Sequence, residues 1–310
     1  MITRDDVLTA GNRIRGRIRR TPLLQVGTPD RPLWLKCEFL QHTGCFKPRG
    51  SFNRVLAARD RGDLDPAIGV VAASGGNAGL STAYAAAAVG VPASVFVPET
   101  APEVKVSRIE SYGAKVHLVG REYAEAYEAA VAFAEQSGAL FCHAHDGLEI
   151  SAGAGTIAEE ILSDEPAIDT ILLAVGGGGM LAGTLASAAG RARVVAVEPR
   201  NIPTLDAALR AGARVDVPVC GVAADSLGAR VIGETAFEST QDAPHLENLL
   251  VDDHDIIAAR EALWSEYRIA AEHGAATAYA ALTSGAYRPE GRNIAVIVCG
   301  ANTPLETLGR

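Results

Sequence analysis

The chain has 310 residues, room for one large domain or two smaller ones with a substantial core. Its 48% hydrophobic and 21% charged content is that of a soluble globular protein, and a net charge of −9 argues against nucleic acid, which wants a basic stripe. No apolar run approaches the roughly 20 residues of a membrane span, and the five cysteines form no CxxC, so neither a disulfide framework nor a zinc ribbon is implied and a reducing cytoplasm fits best.

The opening MITRDDVLTAGNRIRGRIRR is too polar for a signal peptide, while Val7, Leu8, Ile14 and Ile18 suit one face of an amphipathic helix. Strands are predicted at 33–38, 68–74, 93–98, 114–119, 139–143, 170–175, 193–199 and 293–300. Between them lie Ala-rich helical stretches such as AGLSTAYAAAAVG and REYAEAYEAAVAFAEQSG, each ending at a glycine able to stop a helix. The strands are unbroken Val/Ile/Leu runs, as expected where helices cover both faces, so the fold class is α/β with open parallel sheets. Segment 212–228 is the least regular and is expected to wrap the surface.

Only four lysines occur, and one of them, Lys47, stands between Phe46 and Pro48 in TGCFKPRGSF. Proline is comfortable at the first helical position, which puts Lys47 just before a helix with its amine free to face a cleft. A desolvated, neutral lysine amine makes Schiff bases with carbonyls, whereas an ordinary helix-start lysine pairs with a surface acid. Lys36 falls in a predicted strand, and Lys105 and Lys115 in polar surroundings.

Three predicted strands run straight into glycine-bearing turns: VVAASGGNAG, ILLAVGGGGMLAG and IAVIVCGANT. In open parallel sheets ligands bind outside the carboxyl ends of strands, where these turns fall. Gly176, Gly177, Gly178 and Gly179 would weaken both a strand and a helix and suggest no packing role, so an anion cradle explains them better. The same stretch, as Gly177-x-Gly179-x-x-Ala182 with Glu198 about 20 residues on, also fits a dinucleotide fingerprint. That reading, an NAD-dependent Rossmann oxidoreductase, leaves Lys47 and the other two turns without a role.

TGCFKPRGSF, SGGNAG, GGGGMLAG and VCGANT, in this order, resemble the pyridoxal-phosphate enzymes of the tryptophan-synthase-β fold (fold type II), and within them the serine/threonine dehydratases. The resemblance runs from RTPL at 20–23 to the C-terminus and implies two α/β domains with pyridoxal 5′-phosphate in the cleft between them. It places residues 46–143 in a small domain, with 1–45 and 144–310 forming the large cofactor-binding one. It makes Lys47 the Schiff-base lysine and Cα base, lays Phe46 against the cofactor ring, and gives the 5′-phosphate to Gly176–Gly179 with Met180. Asn77 meets the phenolic oxygen, and the backbone of Ser74, Gly75, Gly76, Asn77 and Ala78 takes the substrate carboxylate. Cys299 faces the pyridine nitrogen, and a thiol there is a weak donor that leaves the ring a modest electron sink, suited to β-elimination.

Gly75 departs from the racemases of the family, which carry a proton-donating serine there, so dehydration is favoured over racemisation. The expected reaction is elimination from L-serine or L-threonine to a 2-oxo acid and ammonia. Alternatives are β-replacement, a threonine-synthase-like reaction, a racemase, or a non-catalytic amino-acid-binding relative. CHAHD (142–146) invites a metal, but Cys142 and His143, adjacent on a strand, should face opposite ways. His145 is expected at the cofactor's edge. The resemblance further implies a homodimer and a monovalent cation, potassium, at Glu198, Thr204 and the carbonyls of Ile202, Leu227 and Ala229. The chain stops soon after VCGANT, so end-product control through a C-terminal domain is not expected.

Overall fold

A computed structural model describes residues 1–30, 32–289 and 292–308. The chain begins with α1 (Arg4–Ile14), capped by Thr3, whose hydroxyl accepts from the Asp6 amide while the Asp6 carboxylate accepts from the Thr3 amide. Val7 and Ile14 are buried on its inner face, Leu8 is exposed, and Ile18 lies beyond the helix end. After β1 (Leu23–Gln25) and β2 (Leu33–Lys36) comes α2 (Pro48–Arg61). A run of β3 (Val70–Ala73), α3 (Asn77–Val89), β4 (Ala93–Val97), α4 (Glu103–Glu110), β5 (Lys115–Leu118), α5 (Tyr123–Ser137) and β6 (Leu140–Phe141) follows. The second half comprises α6 (Leu148–Asp164), β7 (Thr170–Ala174), α7 (Gly179–Ala188), β8 (Arg193–Pro199), α8 (Thr204–Ala211), α9 (Ala224–Leu227) and α10 (Glu234–Gln241). It closes with β9 (Leu246–Val251), α11 (Asp253–Tyr267), α12 (His273–Thr283) and β10 (Ile294–Ile297).

Two sheets result. The larger runs β1-β2-β10-β7-β8-β9 and the smaller β5-β4-β3-β6. Each of the eight predicted strands forms, most of them trimmed at the ends, and all their pairings with one another are parallel. Two strands lacked a sequence signal. β1 is three residues, partly exposed, and pairs antiparallel with β2, so the larger sheet is not wholly parallel. β9 is a half-buried edge strand, parallel to β8, and lacks the unbroken apolar run of the central ones. The Ala-rich helices stop where expected, with Gly90 and Gly138 left-handed after α3 and α5.

Helices cover both faces of the larger sheet. Ile157, Leu181 and Leu185 pack with Ile171 and Leu173 on one side, Leu263 and Tyr279 with Leu172 and Val296 on the other. Full burial of each such side chain contributes about 1.5–3 kcal/mol. The turns after β3, β7 and β10 meet in one cleft. Among the described residues no helix is long and apolar enough to cross a membrane.

Candidate active site

Lys47 stands at the N-cap of α2, with Pro48 at the first helical position as its sequence requires. The segment before it is fastened to the end of β10: Cys45 bridges Gly300, and the Phe46 amide donates to the Cys299 carbonyl at 3.0 Å. Two residues along, Arg49 is fully buried and makes two bonds to Glu38 and two to Glu160, fixing the helix start from within. Lys47 Nζ donates to the Ala144 carbonyl at 2.8 Å and lies 5.2 Å from the centre of the Phe46 ring. Burial lowers its pKa, opposed by the nearby Cys45, Cys299 and Glu272. This is an amine biased toward its neutral, nucleophilic form.

The amine faces a cleft of about 820 Å³, counting its open mouth, whose walls include Asn77, His145, Gly176–Met180 and Cys299. Among the described residues, the backbone N–H groups of Gly176 through Leu181 have no acceptor in the protein. Gly178 is left-handed (φ +87°), which turns the chain from β7 into α7 and gathers these amides at a helix N-terminus. Such a row of orphan donors has the chemistry to hold an oxyanion. The absence of a packing role for the four glycines is corrected here. A Cβ on Gly177 would lie 2.0 Å from the His145 ring, on Gly178 2.4 Å from Ala236, and on Gly179 2.1 Å from the His145 carbonyl. The glycines are needed twice, for close packing behind the loop and for open amides in front.

A second row of amides without an acceptor among the described residues lies at the start of α3, at Gly75, Asn77, Ala78 and Gly79, while the Gly76 amide donates to Ser74 Oγ. This turn fits the expected carboxylate site. A Cβ at Gly75 would meet Val97 at an ordinary 3.5 Å, so nothing steric forbids a side chain there, and glycine itself supplies no donor. Burial raises the Cys299 thiol well above its usual range, leaving a neutral, weak donor.

The CHAHD residues are brought close without forming a metal set. Cys142 is buried in the core of the smaller sheet, whereas His143 and His145 line the cleft. His143 Nδ1 accepts from the His145 and Asp146 amides, and Asp146 caps α10 by accepting from the Glu234 and Thr235 amides. Burial pushes the His145 pKa down to about 3, so its ring stays neutral beside Gly177.

Glu198, fully buried, accepts from the amides of Leu205 (2.7 Å) and Asp206 (2.9 Å), from Thr204 Oγ1 (3.1 Å) and from Asn248 Nδ2 (3.2 Å). Ile202 is buried as well, and the Leu227 carbonyl accepts from the Ala229 amide. Segment 212–228 differs from its expected surface role. Val217 and Ala223 are buried, and Ser226 and Leu227 form part of the cleft wall.

Two further groups beside the cleft had no role assigned from the sequence, although Asn302 lies within the VCGANT motif. Glu272, 7% exposed, accepts from Asn77 Nδ2 at 3.0 Å and from the Asn302 amide at 2.9 Å, and Asn302 Nδ2 donates to Asn77 Oδ1 at 2.7 Å. An acid inside AAEHGAAT reads as an ordinary helix-start residue, and no motif spacing links it to Asn77, 195 positions away. Pyridoxal phosphate suits this donor set: a neutral lysine amine for its aldehyde, orphan amides for its phosphate, an amide side chain and a thiol for its ring.

Comparison with known proteins agrees. The family model described as "Pyridoxal-phosphate dependent enzyme" matches residues 14–300. The L-threonine ammonia-lyase of Geobacter sulfurreducens is 35% identical over 309 residues, covering 96% of this chain and 75% of that protein. The L-threonine ammonia-lyase of Thermotoga maritima is 31% identical over 317 residues, covering 100% of this chain and 78% of that protein. Among solved structures, the serine racemase of Dictyostelium discoideum superposes with a TM-score of 0.90 at 30% identity, over 98% of this chain and 99% of that one.

Proposed function

This chain belongs to the pyridoxal-phosphate dependent enzymes of fold type II, in the serine/threonine dehydratase family, and on that premise we propose that it eliminates water from L-serine or L-threonine to give a 2-oxo acid and ammonia. The observation that carries the reading is Lys47, a part-buried amine whose pKa burial lowers, facing a turn of free amides in which Gly75 offers no second proton donor. When bound, the cofactor supplies an aldehyde that condenses with amines and a ring that accepts electrons from Cα.

The protein's own groups do the rest. The amides of Gly176–Leu181 hold the phosphate, and of the expected Ser74–Ala78 turn the free amides of Gly75, Asn77 and Ala78, with Gly79 just beyond, orient the substrate carboxylate. Lys47 Nζ takes the Cα proton from one face. The opposite face has no donor at Gly75 to return it, so the β-hydroxyl leaves faster than the centre inverts. Phe46, Asn77 and Cys299 line the cleft and would hold the cofactor's ring, Phe46 by apolar contact, Asn77 as donor to the phenolic oxygen and Cys299 beside the nitrogen.

The test is the spectrum of the purified protein with L-serine and with L-threonine, keto acid assayed in the same cuvette and the residual amino acid analysed on a chiral column. A visible band, keto acid and residual substrate of unchanged hand support the reading. Rapid loss of chirality without keto acid would replace it with racemisation, and keto acid only with an added nucleophile or a phosphorylated substrate would replace it with β-replacement or threonine synthesis.

Residues 46–143 as a small domain closing on 1–45 and 144–310, a homodimer and a cytoplasmic location belong to the same proposal. So does potassium at Glu198, Thr204 and the carbonyls of Ile202, Leu227 and Ala229. Burial pushes the Glu198 carboxyl up to about 7, above the usual carboxylate range. Without a cation its contribution to stability is therefore full below that usual range and lost as pH rises through about 7. A monovalent cation supplies the missing charge above that point. The melting temperature is expected to rise when potassium replaces a bulky organic cation at about pH 8, and to rise less at about pH 6, on either side of that titration. An equal response at both pH values removes the cation from this site.

A further inference from the structure

Two motif glycines lie apart from the phosphate cradle. A Cβ on Gly44, in TGCF, would stand 2.8 Å from Asn302 Oδ1, and one on Gly300, in VCGAN, 2.3 Å from Glu272 Oε1. Both bare backbones make room for one chain of side chains. Asn302 Nδ2 donates to the Thr43 carbonyl at 2.8 Å and to Asn77 Oδ1 at 2.7 Å, and Asn77 Nδ2 donates to both Glu272 oxygens at 3.0 Å.

The direction of this chain is set from the Thr43 end, whose carbonyl can only accept. Asn302 must therefore turn its NH2 toward Asn77, and Asn77 its NH2 toward Glu272. Burial raises the Glu272 pKa, opposed by the Asn302 and Asn77 N–H donors. One Asn77 hydrogen lies between the carboxylate oxygens, and the other is left for the cleft that this residue lines. Thr43 holds a left-handed φ of +65°, strained for a β-branched residue, with its carbonyl accepting from Asn302 and its hydroxyl against Ser81.

We propose that Glu272 is a positioning residue for the cofactor: it locks the Asn77 amide so that the phenolic oxygen of pyridoxal phosphate meets a donor and never an acceptor. The inference rests on the cofactor reading above. A fixed donor there holds the phenolic oxygen as an anion and sets the tilt of the ring against Lys47. The titratable groups facing Glu272 are Lys47, Cys45 and Cys299, with Asp225 beyond, and of these only Lys47 is a base.

Glu272 could act instead by its own charge on Lys47, and a double-mutant cycle separates the two. Apoprotein is titrated with pyridoxal phosphate, and the visible band is recorded across pH, for wild type, Glu272→Gln, Asn77→Ala and the double variant. Glu272→Gln is expected to move the band and weaken cofactor binding roughly tenfold, the scale of one lost charge-assisted hydrogen bond. In the Asn77→Ala background the same change should move neither. Additive effects would show that Glu272 acts through its charge or its packing and would overturn the proposal. Asn302→Ala, which releases the other side of the Asn77 amide, is the second variant should Glu272→Gln fold poorly. It is expected to move the band in the same sense, and an unmoved band counts against the lock. A wild type that binds no pyridoxal phosphate overturns the cofactor reading and this one together, whereas a yellow wild type with additive variants overturns this one alone.

Discussion

Replacing Lys47 with alanine is expected to abolish the visible cofactor band and lower keto-acid production by about a thousandfold or more, the scale set by a positioned acid–base group. The other three lysines cannot substitute. Lys36 is buried but bound to Glu160 at 2.6 Å and to the Thr21 carbonyl, Lys105 pairs with Asp225, and Lys115 is exposed on an edge strand. Among the described residues Lys47 is in no ion pair, its amine held by a carbonyl instead. A carbonyl stabilises the ammonium less than a carboxylate does, so burial wins and the amine sheds its proton readily. Lys47→Arg should be as inactive as the alanine variant, because a guanidinium keeps length and charge yet does not deprotonate. Retention of a tenth of wild-type turnover by either variant would remove Lys47 from the chemistry.

What could be read from the sequence divides along physical lines. Unbroken apolar runs and terminal glycines report local conformation, so β3, β7, β10 and the stops at Gly90 and Gly138 were legible. Lys47 was legible because Pro48 fixes a helix start. Gly176–Gly179 were legible as an unusual backbone, although only the structure shows that His145 and Ala236 occupy the space their side chains would need. The roles of Glu272 and Asn302 were not, because their meaning lies in partners from other segments: Glu272 sits in an ordinary-looking stretch, and Asn302 lies within VCGANT with nothing to link it to Asn77. The path of 212–228 was hidden for the same reason: it has no periodicity, and its burial is decided by the sheets it crosses. β1 escaped because three half-exposed residues carry too little pattern to stand out.

Arg49→Met is expected to destabilise the protein by about 3–5 kcal/mol, the cost of removing one partner from a buried ion network. Arg49 and Glu38 are fully buried; the guanidinium spans Glu38 at 2.8 Å on both sides and Glu160 at 2.8 and 2.9 Å, and reaches Thr156 at 3.0 Å. Lys36, also fully buried, shares Glu160, so two cations and two carboxylates balance. Without Arg49, one cation faces two carboxylates in a low-dielectric interior. Of a total stability of about 5–15 kcal/mol such a loss is large. Arg49→Lys restores the charge but cannot make the paired bonds, and it should recover only part. The site should feel the loss as well, because Arg49 is the second residue of the helix whose cap is Lys47. Denaturant unfolding and a cofactor titration on the same variants separate these effects. A variant as stable as wild type would mean that water enters and solvates the carboxylates, and one that is unstable but binds cofactor with full affinity would mean that Pro48 and the Cys45–Gly300 bridge position Lys47 without help from the network.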